Sequence, residues 1–188
     1  IFDTMEWWLE KGIDGFRMDV INLLSKAPGL PDGDPDAEWT GAEQFVDGPQ
    51  MMAYLEAMDR QVLSNYDILT VGEMPQLTVE QAREYAGEDG PLDMAFHFQH
   101  TKLDYDGDER WSVGDWDLPE LKEITRRWHD GLSDEGWNAL YWENHDQPRV
   151  VSRYGDPEEY RRESATLLGT FMLTRSGTPY VYQGQELG

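Results

Sequence analysis

Two kinds of apolar segment alternate along the chain, and that alternation limits the folds open to it. Short stretches rich in β-branched and aromatic residues recur at 12–21 (GIDGFRMDVI), 67–74 (DILTVGEM), 92–100 (LDMAFHFQH), 137–146 (WNALYWENHD) and 178–187 (TPYVYQGQEL). They read as strands. Between and around them, apolar residues fall at helical spacing over 3–11, 49–64, 78–86, 117–132 and 157–175. Phe2, Met5, Trp8 and Leu9 share or adjoin one face. So do Met52, Leu55, Met58 and Val62, and later Ala165, Leu168, Phe171 and Met172. Boundary residues agree: Gly12 closes the first helix, Pro49 opens the second, Thr78 with Gln81 forms a capping-box pattern, and Asp117 and Gly131 bracket the fourth. The stretch 25–44 is rich in Pro, Gly and Asp, and is long enough to be read as a functional loop.

A strand followed by a helix returns to the sheet parallel to where it left. The expected class is therefore α/β with a parallel sheet, either open or closed as a (β/α)8 TIM barrel. Neither GxGxxG nor GxxxxGK[ST] occurs, so nucleotide-binding open sheets lose weight. A full barrel needs eight strands and about 250 residues. The 188 residues here hold five, so a partial barrel is expected.

Composition removes other classes. The chain has no Cys, which excludes disulfides, a thiol nucleophile and Cys-ligated metal centres. No apolar run reaches the roughly 18 residues of a membrane helix. The net charge of −23 disfavours nucleic acid and anionic membranes as partners. The acids are spread along the chain rather than gathered in a tail, and Lys is scarce, at Lys11, Lys26, Lys102 and Lys122. That pattern reads as a salt-adapted, halophilic surface. No signal-peptide pattern follows Ile1, and a cytoplasmic location is expected.

Three carboxylates stand alike: Asp19 closes GFRMDV, Glu73 closes LTVGEM and Asp146 closes YWENHD, each at the C-terminal end of an expected strand. In a (β/α)8 barrel those ends converge on the active-site face. One ionised nucleophile, one protonated donor and one orienting acid make a toolkit for glycoside cleavage through an oxocarbenium-like transition state. Arg17, two residues before Asp19, falls on the same side of its strand and would keep Asp19 ionised. His145 offers a donor for a sugar hydroxyl. Trp7, Trp8, Trp111, Trp116, Trp128, Trp137 and Trp142 are expected mostly to pack in the interior. The acidic stretch 99–111 reads as a solvated rim loop.

The words around those acids carry a resemblance. GFRMDVINLLSK (15–26), TVGEM (70–74), ENHDQPR (143–149) and GTPYVYQGQELG (177–188), with the connecting text 45–74, resemble glycoside hydrolase family 13, the α-amylase family. They are most similar to its oligo-1,6-glucosidase and α-glucosidase branch. The resemblance implies that residues 1–188 are the C-terminal part of the (β/α)8 catalytic domain, from the helix before strand four through strand eight, truncated at both ends. It implies Asp19 as nucleophile, Glu73 as general acid/base and Asp146 as the third acid. Arg17, His145 and Arg149 contact the sugar site, and Val20 resembles enzymes that favour α-1,6 links. The implied activity is release of glucose from the non-reducing end of short α-glucosides with retention, the two carboxyl groups lying about 5–5.5 Å apart.

The expected partner is a disaccharide or oligosaccharide. No cofactor is implied, and the family's calcium site, where present, precedes Ile1, so no metal is assigned. The piece alone is expected to show no turnover. Two alternatives stand beside this reading. One is a transglucosylase or isomerase acting on sucrose, maltose or trehalose; the Arg–Asp signature of sucrose isomerases is not matched in 99–111. The other is a non-catalytic glucosidase-like subunit, which typically lacks some of the acids present here.

A salt-adapted surface makes a direct prediction. The melting temperature rises as salt is raised from about 0.1 M to about 1 M and the Debye length shrinks from about 10 Å to about 3 Å. A flat or falling melting temperature over that range contradicts the halophilic reading.

Overall fold

Residues 1–188 are described in a computed structural model except Leu30, Glu38 and Asp108; for Glu109, Arg110 and Ser112 the backbone alone is described. The chain divides into two compact units, the first Ile1–His97 with Leu132–Gly136, the second Phe98–Gly131 with Trp137–Gly188.

In the first unit, β1 (Gly15–Met18), β2 (Leu69–Glu73) and β3 (Met94–Phe96) form a parallel sheet in sequence order. The helices α1 (Phe2–Glu10), α2 (Met51–Gln61) and α3 (Val79–Ala86) precede or connect these strands. β2 is central, and its residues from Thr70 to Glu73 are buried. The side chains of Met51, Leu55, Met58 and Val62 form the buried stripe of the α2 segment. Full burial of each such side chain contributes about 1.5–3 kcal/mol. Thr70 and Asp93 add a reciprocal tie between β2 and the start of β3: Thr70 N and Oγ1 donate to Asp93 Oδ2 at 2.7 and 2.8 Å, and Asp93 N donates to Thr70 Oγ1 at 3.0 Å. The Thr78–Gln81 capping box forms as expected, with Gln81 N donating to Thr78 Oγ1 at 3.2 Å and Thr78 N to Gln81 Oε1 at 2.9 Å.

The second unit opens with an antiparallel hairpin, β4 (Tyr105–Asp106) and β5 (Glu109–Val113). It also holds α4 (Leu118–Leu132) up to Gly131, the parallel pair β6 (Ala139–Leu140) and β7 (Thr178–Pro179), and the helices α5 (Val150–Tyr154) and α6 (Arg161–Leu173). Leu121, Leu140, Trp142, Val150, Val151, Leu168 and Met172 make one buried cluster. Trp142 Nε1 donates to the Leu168 carbonyl at 2.8 Å, so the indole packs without leaving its N–H unpaired.

Several expectations are corrected. The strands are shorter than the apolar stretches that announce them, because the stretches continue into irregular turns beyond the ladder. Asp19 and Val20 lie past β1, and Asp146 lies beyond β6 in a turn rather than at a strand end. Gly131 does not stop α4, which continues to Leu132. The 99–111 stretch is no plain solvated loop: Asp104 is buried in an ion pair with Arg153, and Asp106 pairs with Glu109 in a hairpin, with Gly107 at φ 66° just after it. Asp108, in the same acidic run, lies outside the described residues. Of the seven tryptophans expected inside, Trp128 and Trp142 are buried, while Trp7, Trp8, Trp111 and Trp137 are exposed. Trp8 therefore sits off the buried face formed by Met5 and Leu9.

Gly15 has φ +150°, and a Cβ placed there would stand 1.8 Å from the Leu69 carbonyl oxygen, its own ladder partner. Gly15→Ala must push β1 from β2. It should cost about 1–3 kcal/mol, read as a lower urea midpoint. An unchanged midpoint contradicts the close approach of these two strands.

Candidate active site

Parallel register brings two carboxylates together. Arg17 pairs with Val71 in the ladder, and ladder partners point to the same face of a sheet. Asp19 lies two residues beyond Arg17, and Glu73 two beyond Val71. Both acids therefore leave neighbouring strands at one level and on one side.

Arg17 holds them there. Its Nη1 pairs with Asp19 Oδ1, and its Nη2 lies 2.7 Å from Glu73 Oε2. The same Glu73 oxygen accepts the Val20 amide at 3.2 Å. Val20 can aim that amide because its backbone turns left-handed, at φ 34° and ψ 44°. A β-branched residue rarely adopts that region, at a cost of about 1–3 kcal/mol. Strand propensity therefore does not explain a valine at this position.

The two acids differ in environment. The Glu73 side chain is 7% exposed and that of Asp19 72%. Burial pushes the Glu73 carboxyl above its ordinary value. The Val20 amide and the Arg17 charge oppose the rise, and the hydrogen bond and negative charge of neighbouring Asp19 add to it. A buried carboxyl with its pKa raised, beside an exposed, arginine-paired one, is the inequality of environment that an acid and a nucleophile require.

The second unit carries the other expected residues. Asn144 Oδ1 accepts the Asp146 amide at 2.8 Å, forming a tight turn, and His145 Nε2 lies 3.0 Å from Asp146 Oδ2. Both side chains are about half exposed. Arg149 is held by a residue that sequence reasoning missed. Buried Glu143 pairs with Arg149 Nη1 at 2.5 Å through Oε1, and with the Val150 amide at the start of α5 at 2.5 Å through Oε2. Glu143 raises the Arg149 pKa above its ordinary value. The Arg149 guanidinium also stacks over the Tyr182 ring at 4.9 Å. A Cβ at Gly184 would come within 3.2 Å of it, so the glycine leaves it room. Nothing in the spacing of ENHDQPR announces Glu143 as the clamp; its burial does.

His97 and His100 are both buried. Burial lowers the His100 pKa to about 4, so it stays neutral in the interior. Among the described residues, no group of three or more His, Asp or Glu side chains is arranged to hold a metal ion. None of the described helices is long and apolar enough to cross a membrane.

A family model described as "Alpha amylase, catalytic domain" matches residues 1–188. An oligo-1,6-glucosidase of Halalkalibacterium halodurans is 50% identical over 192 residues, covering 100% of this chain and 34% of its own length. A trehalose-6-phosphate hydrolase of Bacillus subtilis is 48% identical over 190 residues, covering 100% of this chain and 33% of its own. Among solved structures, an isomaltulose synthase from Klebsiella superposes with a TM-score of 0.92 at 37% identity, over 99% of this chain and 34% of that one. The chain thus spans about a third of the length of the curated relatives it matches.

The coupling between Asp19 and Glu73 can be read by carboxyl-carbon NMR titration. Asp19→Asn removes a neighbouring negative charge, so the Glu73 pKa falls. Arg17→Gln removes a positive one, so it rises. A Glu73 titration that neither substitution moves contradicts the shared site.

Proposed function

The chain belongs to the α-amylase catalytic-domain family, and from that premise we propose that the protein is a retaining glycoside hydrolase. It releases glucose from the non-reducing end of short α-glucosides, with α-1,6 links favoured. Residues 1–188 form the later part of a (β/α)8 barrel, from the helix before strand four through strand eight. The observation that carries the reading is one guanidinium shared by an exposed Asp19 and a buried Glu73 whose pKa is raised.

Asp19 attacks the anomeric carbon, and Glu73 protonates the departing oxygen. The bond between Asp19 Oδ and the sugar then forms as the glycosidic bond breaks. Esterification removes the negative charge of Asp19, one of the causes that hold the Glu73 pKa high. Glu73 has just lost its proton, and its carboxylate is now easier to keep ionised. It can take a proton from water, which opens the ester and returns Asp19 to its starting state. Arg17 stays paired to both acids throughout. Asp146 supplies the third carboxylate, binding ring hydroxyls and stabilising positive charge at the anomeric centre. His145 orients it, and Arg149 contributes to the glucose site. The Val20 side chain, fixed next to the nucleophile, biases the linkage.

A second reading has specific support: isomaltulose synthases are among the similar structures. In that reading a sugar hydroxyl, not water, accepts the glucosyl group from sucrose, maltose or trehalose.

The intact protein should be given isomaltose, maltose, sucrose, trehalose and trehalose 6-phosphate, with products and their anomeric form followed by proton NMR. Free α-glucose as the first product, fastest from isomaltose, is expected. β-Glucose excludes the retaining mechanism, and a new disaccharide in place of glucose selects transfer. Glu73→Gln should lower turnover of these sugars about 10²–10⁴-fold. Val20→Thr should shift the isomaltose-to-maltose ratio toward maltose; an unchanged ratio removes Val20 as a linkage determinant.

A further inference from the structure

The ladder between β1 and β2 stops at the pair Met18 and Gly72, short of both acids. Beyond it the β1 segment is irregular at once, while β2 stays paired with β3 through Glu73, opposite Phe96, before it too becomes irregular. Val20 turns left-handed, a short 3-10 turn covers Ile21–Leu23, and on the other side Gln76 has φ 59°. Pairing with β3 holds Glu73, but no β1–β2 pairing fixes how the exit of β1 stands to it.

Asn22 connects them. Its side chain is fully buried, and its Nδ2 donates to the Pro75 carbonyl at 2.9 Å, two residues past Glu73. The same nitrogen lies 3.5 Å from Asp47 Oδ2, and the Asn22 main-chain carbonyl accepts the Asp47 main-chain amide at 2.9 Å. Asp47 is itself anchored to α3. It accepts from Gln81 Nε2 at 2.9 Å and from the Tyr85 hydroxyl at 2.7 Å. Both neighbours of the Asn22 amide are acceptors, so only the nitrogen can face them; a flipped amide would set oxygen against oxygen. The cost is visible, since Asn22 Oδ1 is buried with no hydrogen-bond partner among the described residues. Leucine, of similar size, would fill the space without burying an unpaired oxygen. Packing alone does not account for an amide here.

We propose that Asn22 is a positioning residue for glycoside cleavage, whose amide ties the exit of β1 to the exit of β2 and so sets where Glu73 stands relative to Asp19. The proposal rests on the assignment of Asp19 as nucleophile and Glu73 as acid. It reaches the chemistry through Pro75 and Val20 rather than by touching substrate.

A positioning role and a merely stabilising one separate on leaving-group dependence. Cleavage of a glucoside with a good leaving group, such as 2,4-dinitrophenolate, needs little protonation, whereas a sugar leaving group needs Glu73 in place. In the intact protein, Asn22→Leu is expected to lower kcat/KM on isomaltose by about tenfold to a hundredfold, mostly in kcat, and on dinitrophenyl α-glucoside by no more than about threefold. Glu73→Gln in the same series gives the reference, the same pattern in stronger form. If Glu73→Gln loses equally on both substrates, the acid assignment fails. If Glu73→Gln shows the pattern and Asn22→Leu loses equally on both, or on neither, the positioning proposal is overturned. Should Asn22→Leu not fold, Asn22→Ser carries the same test, because its hydroxyl is too short to span to Pro75 while the site keeps a polar group.

Discussion

The Arg17 guanidinium is the constraint on which the site depends. Two carboxylates brought together at neighbouring strand ends repel one another, and one of them is almost fully buried. Without a shared cation between them, one acid would turn away or the local backbone would shift. Arg17 answers both needs because it stands on the same side of β1 as Asp19 and in register with the strand that carries Glu73. Its planar fork lets separate nitrogens take separate carboxylates, which a lysine ammonium would do less well. The pairing leaves the acids unequal. Burial raises the pKa of Glu73, while Asp19 stays open to solvent.

Strand pairing delivers these groups to the right level, and irregular backbone gives them their final placement. Val20 spends conformational strain to point an amide at Glu73, and Asn22 leaves an oxygen unpaired to hold Pro75. In the second unit, buried Glu143 gives one oxygen to Arg149 and the other to the first amide of α5. In each case a polar group inside the fold is satisfied across a turn rather than along a ladder. Local costs of this kind are concentrated where chemistry needs a fixed geometry.

Much of the first unit was legible because its information is periodic. Strand and helix segments of the expected type stand in the expected order, and the Thr78–Gln81 box formed where the pattern placed it. The proximity of Arg17 and Asp19 followed from the two-residue pleat. What stayed hidden was not periodic. The left-handed turn at Val20 is invisible to a reading that assigns a valine among apolar neighbours to a strand. The Asp104–Arg153 pair joins residues far apart in sequence, and only burial distinguishes Asp104 from its solvated neighbours. The hairpin did leave a sign, Gly107 with its positive φ directly after β4, but the acidic setting made the segment read as a loop. The exposed tryptophans were misread because aromatic content says nothing about which side of a helix or turn faces the interior.

The most direct test of the account is covalent capture of the first chemical step. A 5-fluoro-α-glucosyl fluoride forms the glycosyl ester quickly and releases it slowly, so the labelled residue can be found by peptide mapping of the intact protein. The account predicts one added sugar, carried on Asp19, and no label in Asp19→Asn. Stoichiometric label on Glu73, Asp146 or any other side chain would contradict it.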